Sequence, residues 1–209
     1  TPLPPNTVCN NNLIHIKLQP HRQPVSTAKP LAFALFNAQS VRNKTLQVKD
    51  LIVDHDIDVL ALTETWLSAD DRDDMTIRDI YPTGYEFHSA PRGSRGGGLA
   101  FVYKNTLRLC KKSFVNTKFK SFEYSDMLMR HSATSLRLFT VYRPRPTKTN
   151  KSSIPLFFNE FSRFLERLAT CSEPILLTGD FNFHVENSHD YTAQRFLQLL
   201  DYFNLKQHI

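Results

Sequence analysis

Ile175-Leu176-Leu177-Thr178-Gly179-Asp180-Phe181-Asn182 starts as an aliphatic run and ends in a glycine, a carboxylate, a ring and an amide. A short continuous apolar run is the pattern of a strand covered on both faces; a strand with one wet face alternates instead. A buried strand is therefore predicted over residues 175–178, with Gly179 free to turn the chain before Asp180. The same arrangement occurs twice upstream. Residues 31–36 are apolar and Asn37 follows; residues 58–63 (Asp-Val-Leu-Ala-Leu-Thr) read as a second buried strand around the apolar run 59–62, and Glu64 follows. If such strands lie side by side and run the same way, the polar residues gather at one edge. Ligands of α/β sheets commonly bind at the carboxyl ends of strands.

Working outward, helical spacing predicts helices over residues 44–55 (Leu46, Leu51 and Ile52, with Val48 beside them), 156–169 (Phe157, Phe161, Phe164, Leu165, Leu168) and 191–203 (Phe196, Leu199, Leu200, Phe203). Further strands are expected at 99–103 and 135–142, with 107–115 and 121–129 pairing with the former. Residues 70–79 read as too acidic for a core element, and Pro82-Thr83-Gly84 as a turn. The fold class expected is α/β, with short connections and no repeats. One domain is expected over residues 31–209. Residues 1–30 hold six of the twelve prolines and read as a poorly ordered tail with room for one short strand at 13–18.

The 209 residues suffice for one domain with a core. A hydrophobic fraction of 41% and a charged fraction of 22% are those of a globular chain rather than a disordered one. No apolar run approaches the ~20 residues of a membrane span. The start lacks the basic and apolar regions of a secretory signal, and it opens on Thr1, so a piece of a longer protein is expected. Cys9, Cys110 and Cys171 match neither zinc nor disulfide spacing and read as reduced thiols. A net charge of +6 favours a polyanionic partner. Between residues 92 and 151 there are fourteen Lys/Arg against Glu123 and Asp126; between 50 and 79 there are ten acids against Arg72 and Arg78. The basic half either faces a phosphate backbone or is a solvated surface.

Two carboxylates and two amides at converging strand ends suit a hard cation such as Mg²⁺, which takes oxygen ligands and needs only one or two protein carboxylates. A carboxylate not used as ligand can orient or deprotonate a water, and amides can hold phosphate oxygens. Taken singly, each residue has a plainer reading. Asn37 and Asp180 can end strands in Asx-turns, Glu64 can cap a helix, and Gly179 can serve a turn. The joint pattern favours the site. Arg95-Gly96-Gly97-Gly98 is not a phosphate-binding loop, because no Gly-Lys-Ser/Thr follows; it reads as a flexible turn. Tyr142 either brings its hydroxyl to the same edge or is core. His184 and His189, beside Glu186 and Asp190, lack metal-ligand spacing and are expected in solvent.

Five segments occur in order: Phe36-Asn37-Ala38-Gln39-Ser40, Leu62-Thr63-Glu64-Thr65-Trp66, Arg95-Gly96-Gly97-Gly98, Val141-Tyr142-Arg143-Pro144 and Thr178-Gly179-Asp180-Phe181-Asn182. Together they resemble the endonuclease/exonuclease/phosphatase superfamily, and within it the apurinic-type endonuclease domain of non-LTR retrotransposons of the chicken-repeat-1-like group. The resemblance implies a two-sheet sandwich flanked by helices and Mg²⁺-dependent phosphodiester cleavage, with Mn²⁺ able to substitute. Glu64 would be the principal metal ligand with Asn37 nearby. Asp180 would align or deprotonate the water, Asn182 would hold the scissile phosphate, and Tyr142 would touch it. The partner implied is DNA, bound through its phosphate backbone, and the nick would free a 3′-hydroxyl that primes reverse transcription. An intracellular location is expected, nuclear if genomic DNA is the substrate.

The family pattern continues with a later acidic residue and a Ser-Asp-His motif, neither of which precedes Ile209; His208 does not stand in for that histidine. The expectation is a domain lacking its last strands, poorly stable and weakly active or inactive. The alternatives are a non-catalytic nucleic-acid-binding module or a decaying transposon remnant, and a phosphatase of the same superfamily.

Overall fold

A computed structural model describes residues 30–93, 96–112, 118–131, 134–146 and 153–207. The expected N-terminal tail, Cys9, Arg95, the end of the 107–115 segment and His208 lie outside the described residues.

Two four-stranded sheets face each other. The first has the order β1 (Phe33–Asn37), β2 (Val59–Thr63), β4 (Leu99–Lys104), β3 (Tyr85–Ala90); β1 and β2 are parallel and the other pairs antiparallel. The second has the order β5 (Arg108–Lys111), β6 (Glu123–His131), β7 (Thr134–Tyr142), β8 (Ile175–Asp180), with β7 and β8 parallel. Helices α1 (Thr45–Asp54) and α2 (Asp74–Ile80) belong with the first sheet, α3 (Ile154–Leu168) and α4 (Tyr191–Tyr202) with the second. This is the expected mixed α/β sandwich.

Strand alternation assigns each side chain to a layer. Phe33, Val59, Ala61, Phe101 and Tyr103 meet Met127, Met129, Leu136 and Leu138 between the sheets. The opposite faces serve the helices: Ala34, Leu60, Leu62, Ala100 and Val102 pack with Val48 and Ile52 of α1, while Phe139 and Val141 pack with Phe157, Phe161, Phe164 and Leu165 of α3. Ser153 caps α3 by accepting from the Leu156 N–H at 3.2 Å, and Pro155 sits in its first turn, where a missing N–H costs nothing. Asp190 caps α4 through the Thr192 and Ala193 N–H groups.

The structure corrects two expectations. Residues 107–115 and 121–129 do not pair with the strand at 99–103. Both edges of β4 are taken, by β2 and by β3, and β5 and β6 instead build the second sheet with β7. The strand β3 was missed because Glu86 and His88 interrupt its apolar residues. Tyr85 and Phe87 nevertheless recur at period two and pack on the α1–α2 side. The acidic stretch 70–79 is also structured, as a 3₁₀ turn (Asp71–Asp73) followed by α2. Its Ile80 is fully buried, and Asp73, 3% exposed, is held by Arg42 Nε at 2.8 Å and the Ser68 N–H at 2.7 Å. A buried carboxylate with such partners is a packed residue rather than a solvated one.

Candidate active site

Asn37, Tyr142 and Asp180 are all in phase with residues that point between the sheets: Asn37 with Phe33 and Leu35, Tyr142 with Leu136 and Leu138, Asp180 with Leu176. Glu64 follows Thr63 at the end of the strand paired with β1. The site therefore caps one end of the interlayer core, and it draws on both sheets. The expectation of one sheet edge is corrected to this extent: β1 and β2 carry Asn37 and Glu64, while β7 and β8, in the facing sheet, carry Tyr142 and Asp180.

The Asn37 amide joins the halves. Its Nδ2 donates to Glu64 Oε1 at 2.9 Å and to Asp180 Oδ2 at 2.6 Å, while its Oδ1 accepts from the Gln39 N–H at 3.1 Å. Two carboxylate acceptors on one side and an N–H on the other fix which end of the amide is which. The atom facing the carboxylates is thus the nitrogen, and the oxygen is engaged with backbone. Tyr142, 6% exposed, brings its side chain close to the Glu64 carboxylate. Burial, reinforced by the negative charge of Glu64 and Asp180, raises its phenol above the ordinary tyrosine value, so it stays protonated and able to donate.

Glu64 is fixed from both sides. Ser40 N–H donates to the Glu64 carbonyl at 2.8 Å, and Val41 N–H to that of Thr65 at 3.1 Å; Thr65 N–H donates to Gly98 at 3.1 Å and Trp66 N–H to Gly97 at 2.9 Å. Glu64 and Trp66 both take left-handed backbone, with φ of 53° and 57°. The glycines at 97 and 98 are required by contact as well as by positive φ: a Cβ on Gly98 would lie 2.7 Å from Thr65 Oγ1, and one on Gly97 would overlap Glu123. The turn expected at 96–98 is thus a brace for the Glu64 segment, and Glu64 caps no helix.

Asp180 and Asn182 sit in a loop organised by Arg143. Asn182 N–H closes an Asx-turn onto Asp180 Oδ1 at 3.0 Å, and its Nδ2 donates to the Arg143 carbonyl at 2.7 Å. The Arg143 guanidinium, in a residue 1% exposed, donates to the Phe181 carbonyl at 2.9 Å and lies 4.3 Å from the centre of the Phe183 ring and 5.1 Å from that of Phe157. Burial lowers its pKa and Asp180 opposes the drop. Arg145 reaches Asn182 Oδ1 at 2.8 Å.

Glu123 was not singled out from the sequence. It lies directly across the β6–β7 ladder from Tyr142, accepts from the Gly98 N–H at 2.8 Å and pairs with Arg92 at 3.4 Å. Burial pushes its carboxyl above the usual range and Glu64 adds to the rise, against the hydrogen bond and Arg92. Its spacing from Met127 and Met129 on one strand was the available signal. His184 and His189 are exposed as expected, and His184 meets Glu186 in solvent.

The donors at the centre are oxygens on two carboxylates, with no thiol or imidazole among them, which is the chemistry of a hard divalent cation. Among the described residues no group of three or more His, Cys, Asp or Glu forms a closed metal cage. Two carboxylates linked through one amide thus fit an ion that keeps much of its water. No helix among the described residues is long and apolar enough to cross a membrane.

Residues 34–203 match the Endonuclease/Exonuclease/phosphatase family. The RNA-directed DNA polymerase from the mobile element jockey of Drosophila melanogaster is 28% identical over 120 residues, covering 56% of this chain and 12% of that relative. The chain therefore spans a small part of that protein's length. The endonuclease domain of TRAS1, a telomere-specific non-LTR retrotransposon, superposes with a TM-score of 0.58 at 11% identity over 86% of this chain and 75% of that one. An AP endonuclease from Leishmania major superposes with a TM-score of 0.56 at 18% identity over 82% and 66% respectively. At such identities these two structures establish the shared fold.

Proposed function

Because the chain belongs to the endonuclease/exonuclease/phosphatase family, whose members are hydrolases of phosphodiester-type bonds, we propose that it is a retrotransposon-type endonuclease that nicks DNA with the help of Mg²⁺. The observation that supports this most directly is the Glu64–Asn37–Asp180 bridge at one end of the sandwich, with Tyr142 near Glu64.

In this reading Glu64 holds the cation with Asn37 alongside, and Mn²⁺ substitutes for Mg²⁺. The Asn37 oxygen accepts the Gln39 N–H with one lone pair and would have the other for the ion, while its amide nitrogen spaces the two carboxylates. When bound, the cation polarises a phosphoryl oxygen and offsets charge on the leaving oxygen. Asp180 aligns a water and accepts its proton as the water oxygen bonds to phosphorus. The bond from phosphorus to the 3′ oxygen breaks, and that oxygen takes a proton from solvent. Asn182, whose Nδ2 has a second hydrogen beyond the one given to Arg143, donates to a phosphoryl oxygen. Tyr142 donates its hydroxyl to another. The basic segment beyond residue 92 contacts the backbone of the DNA.

The test is nicking of supercoiled plasmid in Mg²⁺ and in EDTA, with Glu64→Ala and Asp180→Asn beside the parent. Mg²⁺-dependent nicking that both variants lose by more than about 100-fold, the scale of one general base, supports the assignment. Hydrolysis of a phosphomonoester without nicking favours a phosphatase. Salt-sensitive DNA binding by a folded parent that does not nick favours a binding module.

A further inference from the structure

Trp66 combines two features that folding alone disfavours. It is 37% exposed, and its backbone is left-handed at φ 57°. The other described non-glycine residues at positive φ are Gln39, Ser40, Asp56, Glu64, Asn182 and Asn204, all polar. Among the described residues, the other exposed large hydrophobic ones, Leu46, Val53, Met75, Tyr191 and Tyr202, lie on helices with ordinary backbone. A bulky aromatic residue in the left-handed region is an outlier that other interactions must hold in place. Here they do. The Trp66 N–H donates to Gly97 at 2.9 Å, Thr65 N–H to Gly98, and Gly98 N–H is fixed by the buried side of Glu123. The indole edge at Nε1 lies beside Gly96, where even a methyl would come to 3.9 Å.

The position gives this display a purpose. Trp66 stands two residues past Glu64, on the same braced segment. Arg92, an exposed cation, borders that brace: its backbone nitrogen lies 3.7 Å from where a Gly98 Cβ would be, and its side chain pairs with Glu123. A flat apolar ring that shares one glycine turn with a cation, at the margin of the proposed phosphate-cleaving centre, matches a nucleotide in its two chemistries, a π-face and a phosphate. We propose that the Trp66 indole is a stacking surface for a nucleobase of the DNA strand beside the scissile phosphate. This assignment rests on the nuclease reading above. Stacking accepts any base, so Trp66 contributes grip and register more than sequence choice.

Trp66 is the sole tryptophan of the chain, so intrinsic tryptophan emission reports this one position. The experiment titrates the full chain with a fluorophore-labelled duplex oligonucleotide in EDTA, following both tryptophan emission and anisotropy of the DNA. Plasmid nicking in Mg²⁺ is measured in parallel for the parent, Trp66→Phe and Trp66→Ala. The expected result is quenching that saturates with the anisotropy change. Trp66→Ala raises KM by about 5- to 100-fold, the range for one base–aromatic stack, with a much smaller change in kcat, and Trp66→Phe restores most of the loss. An anisotropy change without any change in emission overturns the proposal, as does Trp66→Ala nicking with the parent's KM. A fall confined to kcat overturns it too, because it marks Trp66 as support for Glu64. If the parent binds and is quenched but does not nick, the nuclease reading fails while the contact stands. If it nicks without quenching, only the contact fails.

Discussion

Asn182 and Arg143 hold each other reciprocally: the Asn182 amide donates to the Arg143 carbonyl at 2.7 Å, and the Arg143 guanidinium donates to the backbone of Phe181 and Asn182. The loop carrying two proposed catalytic groups is therefore built on a buried cation between two rings. Arg143→Lys keeps the charge but loses the planar fork and the stacking on Phe183. Carbonyls left without donors and a lost cation–π contact together cost about 2–3 kcal/mol. The expected outcome is a Tm lower by roughly 5–10 °C, read by calorimetry, with nicking lost more steeply than stability.

Replacing Asn37 by Asp puts a third carboxylate against Glu64 and Asp180. Like charges at such distances repel, and a divalent cation relieves them. Asn37→Asp should lower Tm in EDTA at pH 8 and recover more Tm on adding Mg²⁺ than the parent does. Equal Mg²⁺ responses in the two proteins would count against a cation at this site.

The Asp73 carboxyl, bound to the Arg42 guanidinium, is lowered to about 2. Its pKa is depressed below the ordinary unfolded value of about 3.9, so its stabilisation is present above about pH 4 and is lost as pH falls towards 2. Arg42 is 44% exposed, so screening reduces the gain to about 1–2 kcal/mol. Asp73→Asn should therefore lower Tm at pH 7 by a few degrees, and the gap to the parent should narrow as pH approaches 2.

Glu123 has the opposite sign. Its folded pKa is raised, so the ionised form costs stability, and that cost is fully present above the folded pKa. Glu123→Gln keeps an oxygen for the Gly98 N–H and removes the buried charge. Its Tm should equal or exceed the parent's at pH 8, with the difference vanishing in acid. A fall of several degrees at pH 8 would show that the pairing with Arg92 outweighs the desolvation.

Gly179 was read as a turn residue, and the structure gives it a stricter duty. It is paired with Val141 in the parallel β7–β8 ladder, and a Cβ there would overlap the Val141 carbonyl. Gly179→Ala should separate Asp180 from Tyr142 and lower both Tm and nicking.

The residues of the site were legible because each follows an apolar run, and a strand end is a local property of the chain. That is why Asn37, Glu64, Asp180 and Asn182 could be named before any pairing was known. What could not be read is which sheet each strand joins. The segments around Leu109 and Met127 have apolar residues suited to either sheet, and only the filling of both β4 edges decides the matter. The helix at Asp74–Ile80 was hidden for a related reason. Its acids gave the local signal, while the Arg42 that pairs with Asp73 lies 31 residues away. Glu123 looked like one more charge in a basic stretch until β6 brought it opposite Tyr142.

The site draws its two carboxylates from different sheets, and the layer between those sheets is filled by Phe33, Phe101, Met127 and Leu138. The distance from Glu64 to Asp180 is therefore set like the gap of a caliper, by the thickness of what lies between its jaws. On the proposed reading, a methionine or phenylalanine deep in that filling sets how far the Asp180 base stands from a cation on Glu64. Trimming Met127 to a smaller residue should close the jaws slightly and alter the relative use of Mg²⁺ and the larger Mn²⁺ and Ca²⁺. Metal preference in this molecule would then be a property of its oil as much as of its acids.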